Sequence, residues 1–321
     1  DILRTARDLR PGTKASQPLH VRIGIHTGPV VIDERSTGEH AERVAVGETL
    51  QLATHLQTLA DVDTLMISAA TQRLVAGYTV CEQVEPPGGN GLPGALPVYR
   101  IVETKQTLSR LDVATATGLT PLVGRDGELA LLRQQAEHVR AGHGRVVLLS
   151  GEAGIGKSRL AQLLKESLRD GEEVCLEFHC SPYQQATALS PIIAHLQRVL
   201  AFQYADTAQV KLEKLQQLLA QYRFPQSDTL SLLAALLSLP HPEGVPPLAL
   251  TPQRQKQKLR DTLITWLMEE AERTLVYLLW EDVQWADPST LEVITHYLDQ
   301  VPLMRTLVVF TARADFQPPW S

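Results

Sequence analysis

The stretch Gly151-Glu152-Ala153-Gly154-Ile155-Gly156-Lys157-Ser158 decides the fold. It satisfies G-x-x-x-x-G-K-[ST] at every fixed position. Its surroundings agree with it: Val146–Ser150 reads as a buried-type strand, and Ser158 opens a helix reaching Arg169. Glycines let the backbone curl into a cradle whose N–H groups point at phosphate oxygens. A helix that starts directly after the cradle adds a field favouring anions. The expected binding set is Gly151, Gly154, Gly156, Lys157, Ser158 and Arg159. In it Lys157 reaches the β- and γ-phosphates of a nucleotide, and the Ser158 hydroxyl ligates Mg²⁺. The plain alternative is a Gly-rich turn beside a surface lysine, and the agreement of strand, loop and helix argues against it.

A site of this kind needs a second strand that ends in an acid. Leu275-Val276-Tyr277-Leu278-Leu279-Trp280-Glu281-Asp282 supplies it. Glu281 is assigned to the metal and Asp282 to the attacking water, although the two roles could be exchanged. A solvated strand end is the bland alternative. Asp287, before Pro288-Ser289-Thr290, reads first as a helix N-cap. A third strand, Leu307–Thr311, leads to Ala312-Arg313. There Arg313, or a polar neighbour, is placed to sense a γ-phosphate, against the alternative of a surface arginine.

Outward from these motifs, strands alternate with helices. Helices are expected over Glu128–Arg140, Pro191–Phe202, Ala208–Tyr222, Thr229–Leu237, Pro252–Arg273 and Ser289–Gln300. Further strands are expected over Glu173–His179, Leu275–Trp280 and Thr306–Thr311. This order implies an α/β fold with a mainly parallel sheet covered on both faces. Leu129, Leu131, Leu132 and Ala136 are assigned to the apolar side of their helix. Arg254, Lys256, Lys258 and Arg260 read as a solvated basic face. Residues 105–118 are polar and read as a linker between a domain at 1–104 and one at 119–321. The first block is a small α+β unit. His20–Ile32 is expected to form a hairpin about a Gly-Pro turn. A helix follows at 48–60, with Leu50, Ala53, Leu56 and Leu59 at helical spacing. Thr64–Ser68 reads as a strand, Ala69–Val75 as a helix and Leu96–Val102 as a closing strand.

Two resemblances follow from these residues. Thr120-Pro121-Leu122-Val123-Gly124-Arg125-Asp126-Gly127-Glu128-Leu129 looks like the opening segment of STAND ATPases, signalling relatives of AAA+ proteins. Glu281-Asp282-Val283-Gln284-Trp285-Ala286-Asp287-Pro288-Ser289-Thr290-Leu291 is similar to their acidic segment. The resemblance implies nucleotide-dependent switching, and it places Val123, Gly124 and Arg125 near the adenine. The first block resembles the C-terminal half of a class III adenylate/guanylate cyclase domain, a ferredoxin-like fold. Arg22-Ile23-Gly24-Ile25-His26-Thr27-Gly28-Pro29-Val30 matches that family's hairpin, and Val46–Leu56 matches its next segment. Relatives place Asn and Arg where this chain has Gln51 and His55. A neutral imidazole offers no bidentate guanidinium fork to phosphate. Losing one such electrostatic group costs about 3–4 kcal/mol of transition-state stabilisation. The cyclase-like half is therefore expected to be degenerate. The family's two metal-binding aspartates would precede Asp1.

The bulk numbers set limits. The chain has 321 residues, 30 Lys+Arg against 36 Asp+Glu, 44% hydrophobic residues and three cysteines. Two domains fit that length. The net charge of −6 does not suggest nucleic acid. No apolar run has the roughly 18–20 residues a membrane span needs. Scattered Cys81, Cys175 and Cys180 suggest a reducing cytoplasm rather than a disulfide framework. Cys175, His179 and Cys180 make a poor zinc set, because a fourth ligand is missing. The start at Asp1 and the end at Ser321 suggest a piece of a longer chain. The expected function is an ATP-binding signalling ATPase with slow hydrolysis, exchanging ATP and ADP. It would self-associate or act on protein partners. The alternative is an active adenylate cyclase regulated by the phosphate-loop module.

Overall fold

The structure is a computed structural model. It describes residues 20–37, 40–85, 97–104, 123–168, 173–203, 206–223, 226–245 and 248–320. The expected linker at 105–118 lies outside the described residues. Two compact units divide the chain, one within Asp1–Val113 and one within Ala114–Ser321.

In the first unit, strands β1 (Arg22–Ile25), β4 (Thr64–Ser68), β5 (Thr79–Val84) and β6 (Val98–Thr104) form one mixed sheet in the order β1-β4-β6-β5. β1 runs parallel to β4, whereas β6 is antiparallel to both β4 and β5. Helix α1 (Glu48–Leu59) lies on β1. The approach is close: a Cβ at Gly24 would stand 2.3 Å from Ala53 O and from Gln57 N, so only glycine fits. Leu56, Ala60, Met66 and Val98 form the small core. Helix α2 (Ala69–Val75) is capped by Ser68.

The expected hairpin is not formed. β2 (Val31–Thr37) pairs with β3 (His40–Val46) in a separate antiparallel ribbon, while β1 turns to β4. The Gly-Pro step stands between two sheets. Alternating apolar runs specify strands but not which strand each one pairs with. Leu50, expected on the helix core face, is 44% exposed.

The second unit is built on a parallel sheet of β7 (Arg145–Ser150), β8 (Val174–His179), β9 (Val276–Glu281) and β10 (Thr306–Ala312) in the order β7-β10-β9-β8. Central β10 is buried throughout, and β9 is buried up to Glu281. Their side chains alternate between two cores, as the pleat requires. Tyr277, Leu279, Leu307 and Val309 pack under α3 (Asp126–Arg140) and α4 (Lys157–Ser167). Val276, Leu278, Trp280, Val308 and Phe310 face the opposite layer. That layer is built from α5 (Ser190–Val199), α6 (Ala208–Leu219), α7 (Gln226–Leu236), α8 (Pro252–Arg273) and α9 (Pro288–Leu298).

Two expectations need correction here. β7 is an edge strand with Val146 44% and Leu148 38% exposed, not a buried one. An apolar run cannot reveal that neighbours cover one side only. Leu131 is 61% exposed, because Leu132, Ala136 and Val139 take the core face of α3. The basic side of α8 is solvated as expected, with the Lys256 side chain 58% and that of Lys258 42% exposed, and it is also ion-paired. Lys256 and Arg260 reach Glu292 of α9 at 2.7 and 3.0 Å. Lys258 pairs with Asp228 of α7.

Candidate functional site

The parallel order brings the C-terminal ends of β7, β10 and β9 side by side. Residues 151–156 leave β7 as a loop, and α4 starts at Lys157. Gly154 and Gly156 sit at φ 81° and 99°, in the left-handed region that favours glycine. Gly156 is the N-cap residue of α4 and offers no side-chain cap, so the first N–H groups of the helix have no intrahelical acceptor. Lys157 Nζ donates to Gly151 O at 2.8 Å and to Glu152 O at 2.9 Å. The ammonium thus lies across the loop, ready to exchange two carbonyls for anionic oxygens. Glycines, helix-start amides, one ammonium and the Ser158 hydroxyl form a donor set suited to a polyphosphate with its Mg²⁺.

The loop is tied to the neighbouring strand. Gly151 N donates to Ala312 O at 3.3 Å, and Ser150 Oγ donates to Arg313 O at 3.3 Å. β10 is tied to β9 in turn, through Asp282 N donating to Thr311 Oγ1 at 2.9 Å. Asp282 leaves the strand at φ 53°, a left-handed conformation that aspartate tolerates better than most residues. The two acids consequently diverge. Glu281 continues the Tyr277–Leu279 face, toward the α4 side, and its side chain is 12% exposed. Asp282 is exposed.

Glu281 has a partner on β8. His179 stands opposite it in register, and His179 Nδ1 donates to Glu281 Oε2 at 2.7 Å. The other ring nitrogen is 3.9 Å from Glu177 Oε2, and Glu177 is paired with Lys165 of α4. A row of charged and polar groups therefore runs from the phosphate-loop helix to Glu281. The sequence gives no local sign of it, because the strands meet across 102 residues. His179 is thus a carboxylate partner of Glu281.

Arg313 is exposed, and its guanidinium lies 5.0 Å from the Trp285 ring centroid. Asp287 is 3% exposed and acts as the cap of α9. Its Oδ1 accepts Ser289 N at 2.9 Å and Thr290 N at 3.1 Å, and its Oδ2 accepts Leu189 N at 3.0 Å. Arg125 Nη1 donates to Glu128 Oε1 at 2.6 Å, Gly124 sits at φ 73°, and Val123 is 86% exposed. These three precede α3, which shares its core with α4. Arg159 occupies the first turn of α4. In the first unit, Gln51 and His55 lie on α1 beside Leu50, Thr54 and Thr58, along one shallow open groove.

Residues 121–310 match the family model of the AAA ATPase domain. The chain belongs to the AAA ATPase domain family. A curated relative, Uncharacterized protein R02095 of Rhizobium meliloti (strain 1021), is 28% identical over 320 residues, covering 97% of this chain. The chain spans 30% of that relative's length. Among solved structures, the guanylate cyclase domain of RhGC from Catenaria anguillulae in complex with GTP is 20% identical with a TM-score of 0.28. It covers 32% of this chain and 55% of its own. The adenylyl cyclase CyaB from P. aeruginosa is 21% identical with a TM-score of 0.25, covering 30% and 49%. No helix among the described residues of this AAA-family chain is long and apolar enough to cross a membrane.

Proposed function

We propose that the chain is a signalling ATPase of the STAND type, a slow ATP-to-ADP switch carrying a cyclase-like module without cyclase activity. One observation supports this most: the phosphate loop, the acidic end of β9 and the Arg313 end of β10 are stitched side by side by one main-chain bond and two bonds between a hydroxyl and the main chain. Loop amides and Lys157 bind the β- and γ-phosphates. Ser158 and Glu281 hold Mg²⁺, which when bound supplies neutralising charge to those phosphates. Asp282 orients water, and Arg313 answers to the γ-phosphate. Gly151, Gly154, Gly156 and Arg159 complete the cradle, with Val123, Gly124 and Arg125 beside the base. We assign domains to residues 1–104 and 119–321, self-association or a protein partner as output, and the reducing cytoplasm as compartment. No disulfide joins Cys81, Cys175 and Cys180, in keeping with that compartment.

Gln51 and His55 support the loss of cyclase activity, because neither supplies a guanidinium fork. Titration with a fluorescent ATP analogue tests the central claim. Wild type binds, and Lys157→Ala lowers affinity at least about tenfold, the loss of roughly one charge-assisted phosphate contact. Equal affinity in the two proteins refutes the assignment. Robust cyclic nucleotide formed by the full-length protein refutes the inactive-cyclase reading.

A further inference from the structure

Arg313 is held at three separate points. Its carbonyl accepts the Ser150 hydroxyl at 3.3 Å, which ties it to the start of the phosphate loop. Its N–H donates to Gln284 Oε1 at 3.2 Å. Its guanidinium is stacked 5.0 Å from the centroid of Trp285. Two of the three holds therefore come from one short 3-10 turn, Val283–Trp285, directly after the acidic strand end. The same turn also holds Asp282. Gln284 Nε2 donates to Asp282 Oδ1 at 3.3 Å, and Trp285 N donates to Asp282 O at 2.9 Å.

The amide of Gln284 can satisfy both neighbours in only one orientation. Its NH₂ must face the carboxylate and its oxygen must face the Arg313 N–H. A carboxylate or an ammonium at this position would lose one of the two bonds. The ring of Trp285 offers a different kind of hold. A cation–π contact at an exposed site is weak and undirected compared with a charge-assisted bond to phosphate. It holds the guanidinium without neutralising it, so a γ-phosphate can draw it away.

We propose that Gln284 and Trp285 are positioning residues that couple Asp282 to Arg313 and thereby set the preference of this site for ATP over ADP. The proposal rests on the reading of this unit as an ATP site. Gln284 fixes the spacing between the water-orienting acid and the main chain of Arg313. Trp285 is the resting dock of the guanidinium. Only the triphosphate has the group that Arg313 leaves the ring to meet. ADP leaves the stack in place.

The test uses the whole chain with ATP and ADP competing against a fluorescent ATP analogue, together with steady-state hydrolysis. Gln284→Ala is expected to lower kcat about five- to tenfold, the worth of one bridging amide, with KM for ATP changed less than about twofold. Gln284→Glu is expected to fare no better, because it cannot donate to Asp282. Trp285→Ala is expected to raise the ATP-over-ADP affinity ratio about fivefold, because ATP no longer has to break the stack. Trp285→Phe keeps a ring and returns the ratio most of the way to that of wild type. ATP, and not ADP, is expected to change the emission of wild type, and that change disappears in Trp285→Phe. Should Trp285→Ala fail to fold, the partly exposed Gln284 variants and the emission measurement carry the test. Wild-type kcat in Gln284→Ala and a wild-type ATP-over-ADP ratio in Trp285→Ala, or an emission change that survives in Trp285→Phe, overturn the proposal. Failure of wild type itself to bind ATP instead overturns the ATP-site reading, and this proposal with it.

Discussion

Asp287→Ala separates a structural carboxylate from the catalytic acids beside it. The side chain is 3% exposed and has no route to a ligand without rearrangement. It caps α9 through Ser289 N and Thr290 N, accepts the Thr290 hydroxyl, and accepts Leu189 N at 3.0 Å. Removing an N-cap costs about 1 kcal/mol. Leaving the buried Leu189 N–H unpaired costs about 1–3 kcal/mol more. Leu189 is held at φ 58°, so the loop also loses the bond that maintains a disfavoured backbone. The expected loss is about 2–4 kcal/mol, a large share of the roughly 5–15 kcal/mol of a typical domain. All four tryptophans, Trp266, Trp280, Trp285 and Trp320, lie in the second unit, so urea unfolding followed by their emission reports on it. With a slope of about 2 kcal/mol per molar urea, the midpoint is expected to fall by about 1–2 M. Asp287→Ser keeps the cap but not the reach to Leu189, and is expected to lose about half as much. A shift below about 0.3 M for Asp287→Ala would refute the reasoning, as would lost hydrolysis without lost stability.

Further outcomes follow from the same geometry. Glu281→Gln and Asp282→Asn are expected to keep ATP binding and to lower kcat at least about tenfold in a steady-state phosphate-release assay; unchanged turnover in both removes them from the chemistry. His195 is buried, and that burial lowers its pKa from 6.5 to about 4, while its Nδ1 donates to Glu177 O at 3.0 Å. Its stabilising contribution is therefore complete above about pH 6.5 and is lost as pH falls toward 4. Between pH 8 and pH 5 the loss is about 2 kcal/mol, and His195→Gln is expected to flatten that part of the pH–stability curve. Leu132→Ala is expected to cost about 2–5 kcal/mol in urea unfolding, against less than about 0.5 for the exposed Leu131→Ala.

The phosphate loop could be read from the sequence because its parts are contiguous. Strand, glycines, lysine and helix start lie within 145–167, and local geometry alone arranges them. The helix expected roughly over Pro252–Arg273 spans those residues, with Pro252 in its first turn and Thr251 as its cap. Leu131 was misread because two adjacent leucines both fit a broad apolar stripe, and only the neighbouring strands choose between them. The His20–Ile32 hairpin failed for a related reason. Proximity in sequence favours a hairpin, but pairing energy is decided by whichever strand offers a matching edge.

By itself, then, the sequence determined the phosphate cradle, the alternation of strands and helices, and the two carboxylates at the end of an apolar strand. These depend on φ preferences, periodicity and capping, which act within a few residues. Tertiary structure alone decided which strands are edges, that Glu281 faces His179 while Asp282 turns away, and that Gln284 bridges Asp282 and Arg313. Those facts depend on register between strands 29 to 102 residues apart. Register is chosen by the burial of whole faces, so no short stretch of this chain contains it.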